Sequence, residues 1–414
     1  MKTSRFGKFA LRPQFARRWA QIVSERLDQN WPTGANSLQF ALGHAHFNQG
    51  DYEQSNRHFV RITSGKLVPE ATRMADWTRH KLGEISIGWP RYPVTQYTPP
   101  KVPDIREGSG SIFVDNPNRP VELATQLRLP HWLAPTADPR PVLVWFNFRD
   151  SIGGELFTAR AVKALVEQLG LKVVIATDNR LRDVIAQNIP AQAVVSKTSD
   201  LLEFEGMFSG YLLARDALAM TLALPGGLDA ISSIAFSPPA ASQKQNDPIA
   251  TARPVFAFSW KTTNKRQGRY RNIPLADFAQ ELSRIDAEFL SAQHGVSDSE
   301  ARLLKRTLGN RFRPDCLDTS ASIAVLSQQL AACDGIISID NSVLHIAGAF
   351  GIPALGLLSV PSYWAWPATG SNSRWYPTVK LRHQQKPGDW SSVLENLHSA
   401  VVANDASLHM RNDE

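Results

Sequence analysis

The chain has 414 residues, 43% of them hydrophobic and 20% charged, with a formal net charge of +7 and a pI near 9.4. That length suits two or three domains rather than one core, and no run of about 20 apolar residues offers itself as a membrane span. The positive balance favours anionic partners, phosphorylated small molecules among them, while no basic-aromatic motif or zinc finger points to nucleic acid.

The stretch MKTSRFGKFALRPQFARRWAQIV at the N-terminus is basic and partly amphipathic, without the apolar run of a secretory signal. Its Lys2, Arg5, Lys8, Arg12, Arg17 and Arg18 form a solvated helix face and tail, or they touch an acidic partner or anionic lipid at the inner face of the membrane. Residues 13–89 read as helical. Within them Leu42, Gly43, His46, Gly50, Tyr52, Ser55 and Phe59 fall at the spacing of a tetratricopeptide repeat, where small residues let two antiparallel helices approach and large ones fill the groove. Ser55 stands where that motif has Ala, and Pro69 comes later than the motif's terminal proline. A second, partial match covers 81–92 (KLGEISIGWPRY). One or two repeats do not make a free-standing solenoid. The segment 1–92 is therefore expected to pack on the next domain or cap a short helical array, and to offer a surface to a protein partner. His44 and His46 form an H-x-H pair with no third ligand nearby in sequence, so they read as packing or surface residues rather than a metal site.

Residues 93–110 carry a proline-rich linker signature. From 111 to 245 the chain alternates strand and helix. PVLVWFNF (141–148) is a continuous apolar run, hence a buried parallel strand. RDSIGGE is a loop, LFTARAVKALVEQLG a helix, KVVIAT (172–177) a strand, with a helix around 180–187 and a short strand near 192–196. After a break at SPPAASQKQNDPIATARP (237–254), the same alternation fills 246–385. PVFAFSW, AEFLSAQ, GIISID and PALGLLS are its strands; PLADFAQELSRI, SDSEARLLKRTLG, SIAVLSQQLAAC and SVLHIAGAFG are its helices. Residues 386–414 form a C-terminal helix and tail. This grammar predicts an α/β protein with two Rossmann-like doubly wound parallel sheets. Ligands bind such sheets outside the carboxyl ends of the strands, here in the cleft between the halves. Two cysteines, Cys316 and Cys333, make no disulfide framework and have no metal-site spacing, which favours a reducing, cytoplasmic setting.

Four stretches carry candidate site residues. In SIDNSVLHIAGAFGIPAL (338–355), Asp340, Asn341, Ser342 and His345 sit where an apolar strand meets an apolar helix. A helix N-terminus has unpaired N–H groups and partial positive charge, so it suits a phosphate; the alternative is that Asn341 or Ser342 caps the helix and His345 packs. In FRDSIGGELFTAR (148–160), Gly153 and Gly154 let backbone approach a ligand, and Glu155 faces the cleft or simply favours a helix start. In FSWKTTNKRQGRYRNIPL (258–275), Lys261, Lys265, Arg266, Arg269 and Arg271 make a basic loop at a strand's carboxyl end. It neutralises a departing diphosphate or is a solvated surface. In SYWAWPATGSNSRWYP (362–377), read as following the last strand, Trp364 and Trp366 stack a base or sugar, or the aromatic residues tie down the C-terminal helix.

The segment ACDGIISIDNSVLHIAGAFGIPALGLL resembles the signature of bacterial tetratricopeptide-repeat glycosyltransferases related to the heptosyltransferases, Asp-Leu-Val-Ile-(Ser/Thr)-Val-Asp-Thr-x-x-x-His-Leu-Ala-Gly-Ala-Leu-Gly-x-Pro. The tail from PSYWAW to PGDWSSVLENL is similar to the family's ending, and SWKTTNKRQGRYRNIPL to its Ser-Trp-(Lys/Arg) segment. The resemblance implies a GT-B fold whose C-terminal half holds a nucleotide-sugar without metal or other cofactor, basic residues and a helix N-terminus stabilising the leaving diphosphate. Asp340, Ser342 and His345 would belong to that donor site, with Lys261 assisting. The family's Gly-Leu-Gly-Asp loop supplies the aspartate base in its heptosyltransferase relatives. Here Gly154 stands at that aspartate, which leaves Glu155 or Asp150 as the base, or an altered activity. The implied function is inverting transfer of a sugar to a hydroxyl on a glycan, lipid-linked glycan or protein, as in cell-surface glycan biosynthesis. The alternatives are a degenerate transferase acting as a nucleotide-binding or interaction scaffold, and an epimerase of the same fold.

Overall fold

The computed structural model describes residues 36–65, 67–84, 130, 132, 137–146, 152–196, 200–201, 206–238, 252–262, 265–314, 316–320 and 322–401. The basic N-terminus, the proline-rich linker, most of the 237–254 break and Asp150 lie outside the described residues. No described helix is long and apolar enough to cross a membrane.

Residues 36–84 build a helical unit from α1 (Asn36–Gln49), α2 (Tyr52–Phe59) and α3 (Val68–Leu82). Asp51 caps α2, its carboxylate accepting from the Gln54 N–H at 3.1 Å. The small residues spaced for a tight hairpin meet as that spacing requires. The Phe59 ring occupies the space a side chain at Gly43 would need, and buried Ser55 donates its hydroxyl to the Gly43 carbonyl at 2.8 Å. His44 lies edge-on to Phe40 and Phe59, and His46 stacks on His58 at 5.2 Å, so both imidazoles are packing groups. Of the partial match at 81–92 only Lys81–Glu84 is described, and it closes α3.

This unit is not confined to the N-terminal segment. Tyr363–Ala368 belongs to it. The Lys81 ammonium, buried, donates to the Trp366 carbonyl at 2.8 Å, the Ala368 N–H donates to the Lys81 carbonyl at 3.1 Å, and Trp364 lies 5.6 Å from the His80 ring. A distant aromatic segment thus joins the helices of the N-terminal segment in one unit.

The α/β unit begins with β1 (Val142–Trp145), α4 (Ile152–Leu169), β2 (Val173–Ala176), α5 (Arg182–Asn188), β3 (Ala193–Val195), β4 (Gly210–Leu213), α6 (Ala214–Ala223) and α7 (Gly227–Ser233). Its first sheet is parallel, in the order β3-β2-β1-β4. The chain continues through β5 (Val255–Ser259), α8 (Lys265–Arg271), α9 (Leu275–Ser283), β6 (Glu288–Ser291), α10 (Asp298–Leu308), β7 (Phe312–Arg313) and α11 (Ile323–Ala331). It then adds β8 (Gly335–Ile339), α12 (Ser342–Ala349), β9 (Ala354–Leu358), β10 (Val379–His383) and α13 (Ser391–Leu394). The second sheet is parallel throughout, in the order β10-β9-β8-β5-β6-β7. Counted from β5, this is the Rossmann order 3-2-1-4-5-6, with the reversal between β5 and β8. Every residue of β1, β5, β8 and β9 is buried, as strands covered on both faces require. Phe258 of β5 anchors the second core, with the rings of Trp260, Phe278 and Phe289 at 5.6, 6.0 and 6.2 Å.

Several expected loops are helical or displaced. IGGE is the first turn of α4 rather than a loop, and the basic segment after β5 folds as α8. The aromatic stretch 362–377 precedes β10 instead of following the last strand. β10 (VKLRH) is an edge strand with alternating burial, and β4 and β7 are short; none carries the long apolar run that marks the other strands.

Candidate functional site

The β5/β8 reversal is where a doubly wound sheet opens a crevice, because neighbouring connections leave in opposite directions. Here the strand ends are tied by a polar chain. Asn341, just past β8, donates its amide to the Ser259 hydroxyl at 2.7 Å, and Ser259 donates to the Gln293 carbonyl oxygen at 3.0 Å. That oxygen also accepts the Trp260 and Lys261 N–H groups at 3.2 and 2.9 Å. Asn341 is also the N-cap of α12, accepting from the Val343 N–H at 2.9 Å. One side chain therefore caps the helix and sets its start against β5.

Charged groups frame this junction. Asp340 is buried; Arg271 of α8 lies 3.4 Å from its carboxylate and donates to its carbonyl at 3.3 Å. Lys261 donates to the Glu300 carboxylate at 2.6 and 2.8 Å and to the Gly295 carbonyl at 2.9 Å. Burial pushes the Glu300 carboxyl up, but Lys261 and Ser297 outweigh it and hold it below its usual range. Lys261 is thus engaged within the fold, and Glu300 at the same time closes the capping box of α10. Ser342, half-buried, opens α12.

Across from this junction, the first turn of α4 packs on α12. A Cβ at Gly153 would stand 2.5 Å from the His345 ring, so only glycine allows that approach. This contact accounts for Gly153 in the helix, where a glycine costs about 1 kcal/mol. Gly154 and Glu155 follow in the same turn, and the Glu155 side chain is 2% exposed. The structure therefore brings Gly153 and His345 together but covers Glu155.

His345 is held from behind. Its Nδ1 lies 3.0 Å from the Tyr376 hydroxyl, whose ring sits where a side chain at Gly348 would be. Arg160 of α4, entirely buried, sets its guanidinium carbon 4.8 Å from the centre of that ring. It also donates to the carbonyls of Ser232 at 3.0 Å, Ile234 at 2.8 Å and Trp375 at 2.6 Å. Burial lowers Arg160 to about 10 and pushes the Tyr376 phenol well up. Burial pushes His345 down to about 4, with Asp340 raising and Arg271 lowering it further. At neutral pH the arginine is charged and the histidine neutral.

Sequence reasoning passed over Arg160 and Gln293. Arg160 sits on the buried stripe of α4 with Phe157, Ala161 and Ala164, and a cation among apolar helix positions was the available signal. Gln293 carried none. Trp364 and Trp366 are 5% and 0% exposed within the helical unit, which leaves neither an open face for stacking. Among the described residues no three His, Cys, Asp or Glu side chains are grouped to hold a metal ion.

No protein-family model matches the chain. Protein FlbA of Caulobacter vibrioides is similar, 23% identical over 284 residues that make up 64% of this chain. The match spans 47% of that protein, about half its length. Among solved structures, the glycosyl transferase family 9 protein from Veillonella parvula DSM 2008 aligns with 67% of this chain and 99% of its own, at 9% identity and a TM-score of 0.49. E. coli ADP-heptose lps heptosyltransferase II aligns with 66% of this chain and 100% of its own, at 12% identity and a TM-score of 0.44.

Proposed function

We propose that this chain is an inverting, metal-independent glycosyltransferase of GT-B architecture that takes a nucleotide-sugar as donor. One observation carries the reading. The two stretches that resemble the heptosyltransferase-related signature, 259–275 and 332–358, converge at the β5/β8 crevice, joined by the 2.7 Å bond from Asn341 to Ser259. In this reading the N–H and hydroxyl of Ser342, with the positive end of α12, bind the diphosphate. Arg271 neutralises charge at the leaving oxygen, and Lys261 joins it by exchanging Glu300 for phosphate. Asp340 holds Arg271 and the turn in place. The acceptor is a hydroxyl on a glycan, lipid-linked glycan or protein, and the helical hairpin, read as a tetratricopeptide-type unit, is the surface for a protein partner.

Glu155 is the proposed base, with Asp150 the other candidate. Because Glu155 is buried, the packing around it has to open for an acceptor to reach it.

The deciding experiment is a hydrolysis screen across nucleotide-sugars, read as nucleoside diphosphate released. One donor is expected to be cleaved slowly without acceptor, with Ser342→Ala and Arg271→Ala each slowing release at least tenfold. Glu155→Gln is expected to abolish transfer while leaving donor binding intact; unchanged turnover removes Glu155 from the mechanism. A protein that cleaves no nucleotide-sugar and binds no nucleoside diphosphate is not a transferase, and the scaffold reading takes its place.

A further inference from the structure

The polar chain at the β5/β8 crevice has a fixed direction, and Gln293 sets it. The backbone N–H groups of Trp260 and Lys261 point at one atom of the Gln293 amide, at 3.2 and 2.9 Å, which makes that atom the oxygen. The other end of the amide donates to the His294 carbonyl at 2.9 Å, as a nitrogen must. Ser259 has one hydroxyl proton, and it goes to the Gln293 oxygen at 3.0 Å. The Ser259 oxygen is left to accept, so the Asn341 group facing it at 2.7 Å is the amide nitrogen. Asn341 Oδ1 is thereby turned to the Val343 N–H at 2.9 Å and the Ser338 hydroxyl at 3.0 Å. We propose that Gln293 is a positioning residue of the donor site. Through Ser259 it fixes the Asn341 amide in the one orientation that both caps α12 and holds the Lys261 main chain, so that helix start and lysine meet the ligand in one frame.

Lys261 is gripped from both sides. Its N–H donates to Gln293 and its carbonyl accepts from Asn341 Nδ2 at 3.4 Å, so the two ends of the chain close on the residue whose ammonium holds Glu300. A reversed Asn341 amide would set Oδ1 against the Lys261 carbonyl and Nδ2 against the Val343 N–H, acceptor on acceptor and donor on donor. Ser259 and Gln293 are buried, so bulk water does not compete for the bonds that fix this order. The order also asks for more than a helix cap at position 341. Asn341→Asp caps a helix as well, yet its carboxylate donates to neither Ser259 nor Lys261. That the ligand is a nucleoside diphosphate rests on the reading above; the direction of the chain does not.

The test pairs side-chain amide NMR of the full chain with calorimetric binding of ADP, UDP and GDP. The Asn341 amide signal, assigned by its loss in Asn341→Asp, is expected as one sharp pair of protons that exchange slowly with solvent. Gln293→Met keeps the length of the side chain and removes the oxygen. It is expected to broaden or split that signal and to weaken nucleoside diphosphate binding roughly tenfold, the size of one lost orienting hydrogen bond. Ser259→Ala removes the intermediary with little change of volume, and takes the place of Gln293→Met should that variant fail to fold. It is expected to do the same, and the double variant to lose less than the product of the two single losses, because the residues act in series. An Asn341 signal that stays as in wild type overturns the proposal, even with a lowered melting temperature, and so do single losses that multiply in full. The expected signal and its response, in a protein that binds none of the three diphosphates, keep the direction of the chain and remove the donor-site reading instead.

Discussion

His345 and Gly153 meet where α12 packs on α4, and each sets a measurable property. Burial holds the imidazole at about 4, against an ordinary value of 6.5. The unfolded chain takes up a proton near 6.5, whereas the folded one does so only near 4. Stability from this group is therefore full above the higher value and falls as pH drops through the window between the two, by about 3 kcal/mol at ~1.4 kcal/mol per pH unit. Urea unfolding at stepped pH should show that slope, and His345→Gln should flatten it. At Gly153 the constraint is steric. Gly153→Ala sets a methyl against the ring, so a loss of roughly 1–3 kcal/mol is expected from overpacking, together with weaker nucleoside diphosphate binding as the imidazole is displaced. Unchanged melting and binding would falsify the contact.

At the scale of elements, what decides the site is how α12 and α4 are fastened. Asn341→Ala removes the α12 cap and strips the Ser259 hydroxyl of its donor. About 1 kcal/mol for the cap and a further 1–3 kcal/mol for the disrupted buried network are expected in chemical denaturation. Arg160→Met keeps most of the volume but leaves three carbonyls without their donor, the buried one of Trp375 and the part-buried ones of Ser232 and Ile234. That substitution should cost about 3 kcal/mol or more, and hydrogen exchange should quicken in α7 and α12 before it does in β5 or β8. These elements also show where sequence reading succeeds. The strands β1, β2, β5, β6, β8 and β9 are legible as apolar runs because parallel strands are buried on both faces. The start of α4 was not legible, since glycine pairs signal a turn unless a neighbouring helix needs their missing side chains.

For the whole molecule, the helical unit depends on residues that lie far away in sequence. Lys81 is 2% exposed and its ammonium is satisfied by the Trp366 carbonyl. The same segment brings Trp364 and Trp366, buried in this unit, so its removal takes away apolar cover as well as that hydrogen bond. Deleting Tyr363–Ala368 should therefore unfold α1–α3, seen as lost helical circular dichroism, while the parallel sheets persist; retained helicity would show the helices to be self-sufficient. The fragment 1–92 made alone is expected to be largely unfolded for the same reason.

What the sequence by itself determined is the α/β class, the two doubly wound halves and the strand-to-helix junction at Asp340–His345. Each follows from local periodicity and from residue types that cap helices and end strands. Only the tertiary structure decided which polar residues act together. Ser259, Gln293 and Asn341 are joined because the topology reverses between β5 and β8. Arg160, Tyr376 and His345 are joined because α4 lies against α12. Pairings of that kind depend on the meeting of elements far apart in the chain, and no pattern of spacing along the sequence encodes them.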